Sequence, residues 1–362
     1  MAKNVIILGA GASASDGAPT MGNFYEVAME TGETLKDDSA SHEAFKCVED
    51  AYLELGSAEA NVKMAYADNI ENLFATFEMA NVLGKLGRYT KDQIELLLPS
   101  MKRTISDTIE MNLNFSEFQG NVYPPSTYGK FAKKIADKFS SPTYQPNISI
   151  ITFNYDIGFD YALEMNGVSI DYCLKGPPRT RSIPFLKLHG SLNWSRCNEC
   201  EQILYLGYED WKTKYGTPVN MQNRNVFHIC TSRELGRIKH EHNLTNEPYI
   251  IPPTWNKTRH QEEIQQVWQR ASEELSTAKQ LFIIGFSVGT TDQFFRHLFA
   301  LSLARSQNLR KIFIINNNVD AFNRVQGLLG DRITKTLQSF LMMPFESRVE
   351  NVADLILNEL PS

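Results

Sequence analysis

The chain has 362 residues and a formal charge of −6, from 36 Lys and Arg against 42 Asp and Glu. That length exceeds what a single hydrophobic core usually fills, so one α/β core with a large insertion, or two domains, is expected. The acidic balance gives no basic field for wrapping nucleic acid, and no stretch nears the roughly 18 consecutive apolar residues of a membrane span. Five cysteines, an odd number in a long chain, do not describe a disulfide framework. Lys3 followed by VIILGAGAS imitates a secretion signal, but its fully apolar run stops after four residues. A reduced, cytoplasmic protein is the expectation.

Residues 4–11 read as a buried parallel strand that runs into glycine. An ordinary dinucleotide-binding unit would place a helix and a second strand within about 30 residues of it. Instead, 23–140 is helix-like, in FYEVAMETGE, DNIENLFATFEMANVLGKL, KDQIELLLPSMKRTISDTIEMNL and YGKFAKKIADKFS. Ile70, Leu73, Phe74 and Phe77 fall three and four apart, the stripe of an amphipathic helix. Strand character returns at 147–155, 168–174 and 184–189. Residues 195–247 are polar with scattered aromatics, which suggests a small module, over 175–250, or a long loop region. PYIIPPTWNK (248–257) should be extended, since proline disfavours helix at the residue before it. A helix is expected over 260–278, a strand in QLFIIGFSV (280–288), a helix in TDQFFRHLFALSLAR (291–305), a strand in RKIFIINNN (310–318) and a closing helix in ENVADLILNEL. The fold expected is a Rossmann-like α/β parallel sheet with helices on both faces, formed by 1–22 and 141–362. A helical insertion over 23–140 and the module over 175–250 complete it.

Three apolar runs end in small or polar chemistry. Val5–Leu8 runs into Gly9-Ala10-Gly11-Ala12-Ser13, Ile148–Ile151 into Thr152-Phe153-Asn154-Tyr155-Asp156, and Phe185–Leu188 into His189-Gly190-Ser191. Ligands of parallel α/β sheets bind beyond the carboxyl ends of the strands, so these pieces can meet around one ligand. Gly9 and Gly11 would let backbone approach a phosphate, with N–H groups at a helix start favouring the anion; the alternative is simply a tight turn. Asn154 and Asp156, at alternate positions, point the same way from an extended strand, or else form an ordinary Asn/Asp turn. His189 suits proton transfer near neutral pH, or is a histidine satisfied inside a turn. Ser287 and Asn316 offer short polar groups at two later strand ends.

GAGAS, TFNYD, LHGS, GFS and INN, in that order, resemble the sirtuin family of NAD-consuming enzymes, over about residues 4–320. DGAPTMGNF, KLHGSLNW and IIPPTWNK look most like the bacterial sirtuin-like NADases of antiviral defence. The resemblance implies that Ala10, Gly11, Ala12 and Ser13 line the pyrophosphate site, with Pro19 and Thr20 in a covering loop. It implies that Asn154 holds the attacking water or the nicotinamide ribose, that Asp156 binds the carboxamide and that His189 is the general base. Gly285 and Ser287 would approach the phosphates, and Asn316 the adenine ribose. Phe153 departs from the family's glutamine, and the phenylalanine-glycine-glutamate segment that pairs with acyl-lysine peptides is absent after Cys230.

The activity implied is hydrolysis of NAD to nicotinamide and ADP-ribose, depleting NAD in defence against phage. The alternatives are an NAD-dependent protein deacylase, or a silent subunit that binds NAD or ADP-ribose. Cys197-Asn198-Glu199-Cys200 carries half of a zinc-ribbon spacing, and His228 with Cys230 would complete a tetrahedral set. The irregular second pair favours a metal-free module. Cys47 and Cys173 read as core residues. A homo-oligomer assembled through the helical insertion, with a separate ATPase or nuclease partner, is expected; the alternative is that these helices only cover the cleft.

Overall fold

A computed structural model describes residues 4–35, 39–57, 70–119, 121–139, 147–176, 179–208, 216–221, 224–229, 231–245, 247–251, 264–289, 293–304, 306–330 and 338–358. The central sheet has seven parallel strands: β1 (Asn4–Leu8), β4 (Ile148–Thr152), β5 (Ile170–Asp171), β6 (Ile183–Lys187), β11 (Gln280–Ile284), β12 (Lys311–Asn316) and β13 (Gln338–Met342). Their order is β13-β12-β11-β1-β4-β6-β5. β1, β4, β6 and β11 are buried at every position, which is why each reads as a mainly apolar run rather than an alternating one.

From β1 the chain steps to β4 on one side, and later returns to β11 on the other. The crossovers therefore part between β1 and β11, and that parting opens a crevice at the carboxyl ends of the strands. α5 (Ser126–Phe139), α6 (Gly158–Met165) and α10 (Val349–Asn358) pack together on one face; α7 (Gln265–Thr277) and α8 (Gln293–Leu303) cover the other. α9 (Val319–Gln326) follows β12. The Rossmann-like expectation is met.

α1 (Phe24–Thr34), α2 (Ser39–Ser57), α3 (Ile70–Leu83) and α4 (Lys91–Asn112) form a second core. Ile70, Leu73, Phe74 and Phe77 are all buried in it, each such side chain contributing roughly 1.5–3 kcal/mol. α4 opens on a capping box, in which Gln93 N–H donates to the Thr90 hydroxyl and Thr90 N–H to Gln93 Oε1. The helical segment ends earlier than residue 140. Tyr128, Phe131, Ala132 and Ile135 of α5 belong to the core of the sheet, because that face of α5 is apolar and meets α6 and α10.

The small module shares a sheet with the helical segment. β2 (Phe115–Phe118), β3 (Asn121–Tyr123), β9 (Gly216–Met221) and β10 (Arg224–Ile229) form one antiparallel sheet in the order β3-β2-β10-β9. β2 comes from the end of the helical segment, so the sheet joins that segment to the module. β7 (Trp194–Arg196) and β8 (Ile203–Tyr205) make a hairpin beside it. A buried polar clasp reinforces the join. Asp107 of α4 accepts from Arg103 Nε at 2.8 Å and from Arg233 Nη2 at 3.2 Å. Glu110 accepts from the Thr231 hydroxyl, Ser232 N–H and the Ser232 hydroxyl at 3.0, 2.8 and 2.5 Å. Among the described residues, no helix is long and apolar enough to cross a membrane.

Candidate functional site

A cavity of about 490 Å³ lies over the carboxyl ends of β6, β4, β1, β11 and β12, within the size range of small-molecule sites. Ala10, Gly11, Ser13, Pro19, Thr20, Asn154, Asp156, His189, Gly285, Ser287 and Asn316 all line it. Ala12 does not; it is fully buried and turned from the cavity, its N–H donating to Gly9 O.

The glycine loop is built differently from the phosphate cradle expected. No α-helix follows β1 directly; two 3₁₀ turns, 10–12 and 14–16, carry the chain to α1. The N–H groups of Gly9, Gly11, Ala12 and Ser13 donate to the carbonyls of Ile284, Gly285, Gly9 and Ala10. The glycines serve a close backbone crossing. Gly285 has φ +61°, and a Cβ there would meet Ala12 N at 2.2 Å. A Cβ on Gly9 would meet Phe286 Cα at 2.6 Å, and one on Gly11 the Gly285 carbonyl oxygen at 2.8 Å. Only glycine permits these approaches. The loops after β1 and β11 thus touch at the mouth of the crevice.

Asp16 ties the end of this loop to α5. Its carboxylate accepts from Thr127 N–H at 3.0 Å and Tyr128 N–H at 3.2 Å, filling two donors that a helix start leaves unpaired. Burial raises its pKa, and these hydrogen bonds pull the other way. Tyr128 is thereby held with its hydroxyl 3.3 Å from Asn154 Nδ2, which also donates to Gly9 O at 3.1 Å. The Asn154 amide nitrogen is used, which orients Oδ1 as the acceptor for a ligand. Thr20 and Asn23 brace the covering loop, Thr20 N–H and Oγ1 each donating to Asn23 Oδ1 at 2.8 Å.

Asp156 sits where the chain enters α6, Oδ1 accepting from Gly158 N–H at 2.9 Å. Its main-chain carbonyl accepts from Lys187 Nζ at 2.5 Å, and Lys187 also pairs with Asp160 at 3.3 Å. Lys187 and Asp160 are both buried, and Tyr172 and Asn193 extend the network below. Burial pushes the Asp156 pKa up to about 6, against the pull of Lys187. His189, also buried, meets the Phe153 ring edge-on at 5.1 Å between centroids. Phe153 stacks on Phe286 at 4.6 Å, so the residue that departs from the glutamine pattern forms an apolar wall. Gly190 has φ +79° and packs against Tyr249 O. That turn fixes His189, whose carbonyl accepts from Ile251 N–H at 2.8 Å.

At the far end, Asn316 is partly spent on structure: Nδ2 donates to Phe286 O at 3.4 Å and Oδ1 accepts from Asn318 N–H at 3.0 Å. Sequence reasoning missed Phe286 and Arg324 of the lining, together with the roof residues Glu71, Phe74, Ile105 and Ile109 from α3 and α4, and Tyr128 behind Asn154. Phe286 stands inside the strand-end GFS segment; for the helical residues the only sequence signal is helix periodicity, which names a face without naming what it covers.

No family model matches the chain, and no curated protein matches it. Among solved structures it is similar to a Sir2 homologue in complex with ADP-ribose, with 14% identity, 99% of this chain and 94% of that chain covered, and a TM-score of 0.42. A Sir2 homologue–NAD complex shares 14% identity, over 99% of this chain and 91% of that one, with a TM-score of 0.37. A third, described as the structural basis for the mechanism and regulation of Sir2 enzymes, shares 12% identity, over 99% and 93%, with a TM-score of 0.40.

The cysteine cluster differs from the expected set. Cys197, Cys200 and His240 bring their ligand atoms within 4.8 Å of one another, and Cys200 Sγ lies 3.2 Å from His240 Nε2. These are three of the four donors of a tetrahedral zinc site. The expected Cys230 lies outside the described residues, as does 252–257 of the extended segment. His228 is on β10, with only its backbone described. His242, next to the cluster, pairs with Glu199. Cys173 is buried and Cys47 half-buried.

Proposed function

We propose that the protein hydrolyses NAD at the nicotinamide–ribose bond, releasing nicotinamide and ADP-ribose. The observation that carries this reading is the meeting of Asn154, Asp156 and His189 in one cavity at the crevice between β1 and β11. Cleavage of such a bond passes through an oxocarbenium-like transition state. The site must hold the leaving nicotinamide, shelter the ribose cation and deliver water. The Asp156 carboxylate accepts from the nicotinamide carboxamide. Asn154 Oδ1 accepts from the water or from a ribose hydroxyl. His189, screened on one side by Phe153, takes the proton, help typically worth roughly 10²–10⁴ in rate. The motif resemblance supports a role in NAD depletion during antiphage defence, with the resting state held by self-association or by an ATPase or nuclease partner. Met79, Val82 and Leu83 project from α3 at 53%, 78% and 63% exposure, an apolar strip suited to a second copy.

Purified protein incubated with NAD, with nicotinamide release followed by chromatography, tests the reading directly. Release only in the presence of an acyl-lysine peptide would replace hydrolysis with deacylation. Binding without turnover would make this a nucleotide-sensing subunit.

A further inference from the structure

We propose that the far end of the cavity is built to accept a phosphate on the adenine ribose, so that NADP is a substrate alongside NAD. This rests on the dinucleotide reading above. The reacting groups Asn154, Asp156 and His189 stand at the ends of β4 and β6, so the adenosine half lies across the ends of β11 and β12. In parallel α/β nucleotide folds the ribose is discriminated near a strand end. An acidic side chain there binds the 2′-hydroxyl, whereas an arginine accommodates a 2′-phosphate. Here the strand end carries Asn316, Asn317 and Asn318, and Arg324 of α9 lines the same cavity with them. The acidic groups lining the cavity among the described residues are Glu71 and Asp156. They come from the roof helix α3 and from the segment after β4, not from this end.

Arg324 is oriented rather than loose. Its Nε donates to the Ser287 carbonyl at 2.7 Å, which fixes the guanidinium plane and leaves both terminal nitrogens for an acceptor. Among the described residues no carboxylate forms an ion pair with it. A fixed guanidinium presents paired N–H donors that match a phosphate monoester. The neighbouring asparagine amides supply neutral groups that do not repel the added charge.

The test compares kcat/KM for nicotinamide release from NAD and from NADP in the wild type, Arg324→Gln and Arg324→Lys. Calorimetry with adenosine 2′,5′-bisphosphate and its 3′,5′ isomer provides a readout that needs no catalysis. The NADP-to-NAD ratio should fall about tenfold or more in Arg324→Gln, and partly recover in Arg324→Lys. The wild type should prefer the 2′,5′ isomer, and Arg324→Gln should lose that preference. Unchanged ratios would overturn the inference, since Arg324 would then serve the shared pyrophosphate or nothing. So would a wild type that cleaves NAD but not NADP. If neither dinucleotide is cleaved yet the Arg324-dependent isomer preference stands, hydrolysis fails and the phosphate subsite survives. If neither bisphosphate nor dinucleotide binds, both readings fall.

Discussion

Gly285→Ala tests the construction of the crevice at a cavity-lining position that supplies no side chain to the chemistry. Two costs are readable from the structure. The backbone there has φ +61°, a conformation that costs an L residue roughly 1–2 kcal/mol. The added Cβ would also fall 2.2 Å from Ala12 N and 2.4 Å from Gly11 C. Both are backbone atoms of a loop already hydrogen-bonded to the β11 side, so relief requires the two loops to separate. Overpacking of this kind costs about 1–3 kcal/mol. The sum, about 2–5 kcal/mol, corresponds to a fall of about 3–7 °C in melting temperature for a chain of this size. Separated loops also misplace Gly9 O, which holds Asn154, so dinucleotide affinity should fall with stability. Gly22→Ala is the matched control, because it lines the same cavity but a Cβ there meets nothing within 4 Å. Differential scanning calorimetry and ligand titration of both variants give the answer. Equal melting temperatures and equal affinities for the two would refute the crossing as the reason for glycine.

Asn154→Ala and His189→Ala should each abolish nicotinamide release with the circular dichroism spectrum unchanged; near wild-type turnover in either would remove that residue from the chemistry. Burial raises the Glu110 pKa to about 7 from 4.5, with its hydrogen bonds to Ser232 opposing. The folded state therefore holds this proton more tightly than the unfolded one, and stability falls as pH rises from about 4.5 through 7. Glu110→Gln should gain stability relative to wild type between pH 5 and 8 in urea titrations, and a pH-independent difference would contradict this. Elemental analysis should find well below one zinc per chain, because the H-x-C spacing of His228 and Cys230 is irregular for the second half of a zinc ribbon; a full equivalent retained after dialysis would show a complete site. Val82→Glu with Leu83→Glu should reduce the mass seen by light scattering at micromolar concentration, whereas a wild type already monomeric and fully active would end the idea of assembly through α3.

The strands that build the crevice were legible because each is buried on both faces and so appears as an apolar run ending in glycine, asparagine or histidine. Parallel strands of one sheet share a carboxyl end, which is why the loops after β1 and β4 could be expected to meet although paired residues such as Ile6 and Ile150 lie 144 positions apart. β2 and β3 were not legible. FSEF and NVY are too short to show alternation, and β2 pairs with β10 more than a hundred residues later, where no local signal fixes the register. Tyr128 was hidden for a related reason: it stands on the apolar face of α5, and only the Asp16 cap turns its hydroxyl toward Asn154. His240 escaped because nothing in the spacing from Cys200 distinguishes it from His228. In the glycine loop the pattern alone does not reveal the close crossing with Gly285, since that contact joins segments more than 270 residues apart.

The clasp of Asp107 and Glu110 to residues 231–233 limits how the cavity can admit a ligand. A roof that swung open on α4 as a hinged lid would part Asp107 from the half-buried Arg233 and Glu110 from Thr231 and Ser232, and taking a partner from a buried charged group costs several kcal/mol. Such a lid would open too rarely to set a useful rate of exchange. α4 and the strands after residue 216 must therefore travel as one body. The remaining freedom is a small sliding of that body over the sheet, of the shear type. The covering loop at Pro19 and Thr20, braced from Asn23 on its exposed side, is then the natural door. Traffic through this site would be governed by a few residues of loop and not by the hundred residues of helix above them.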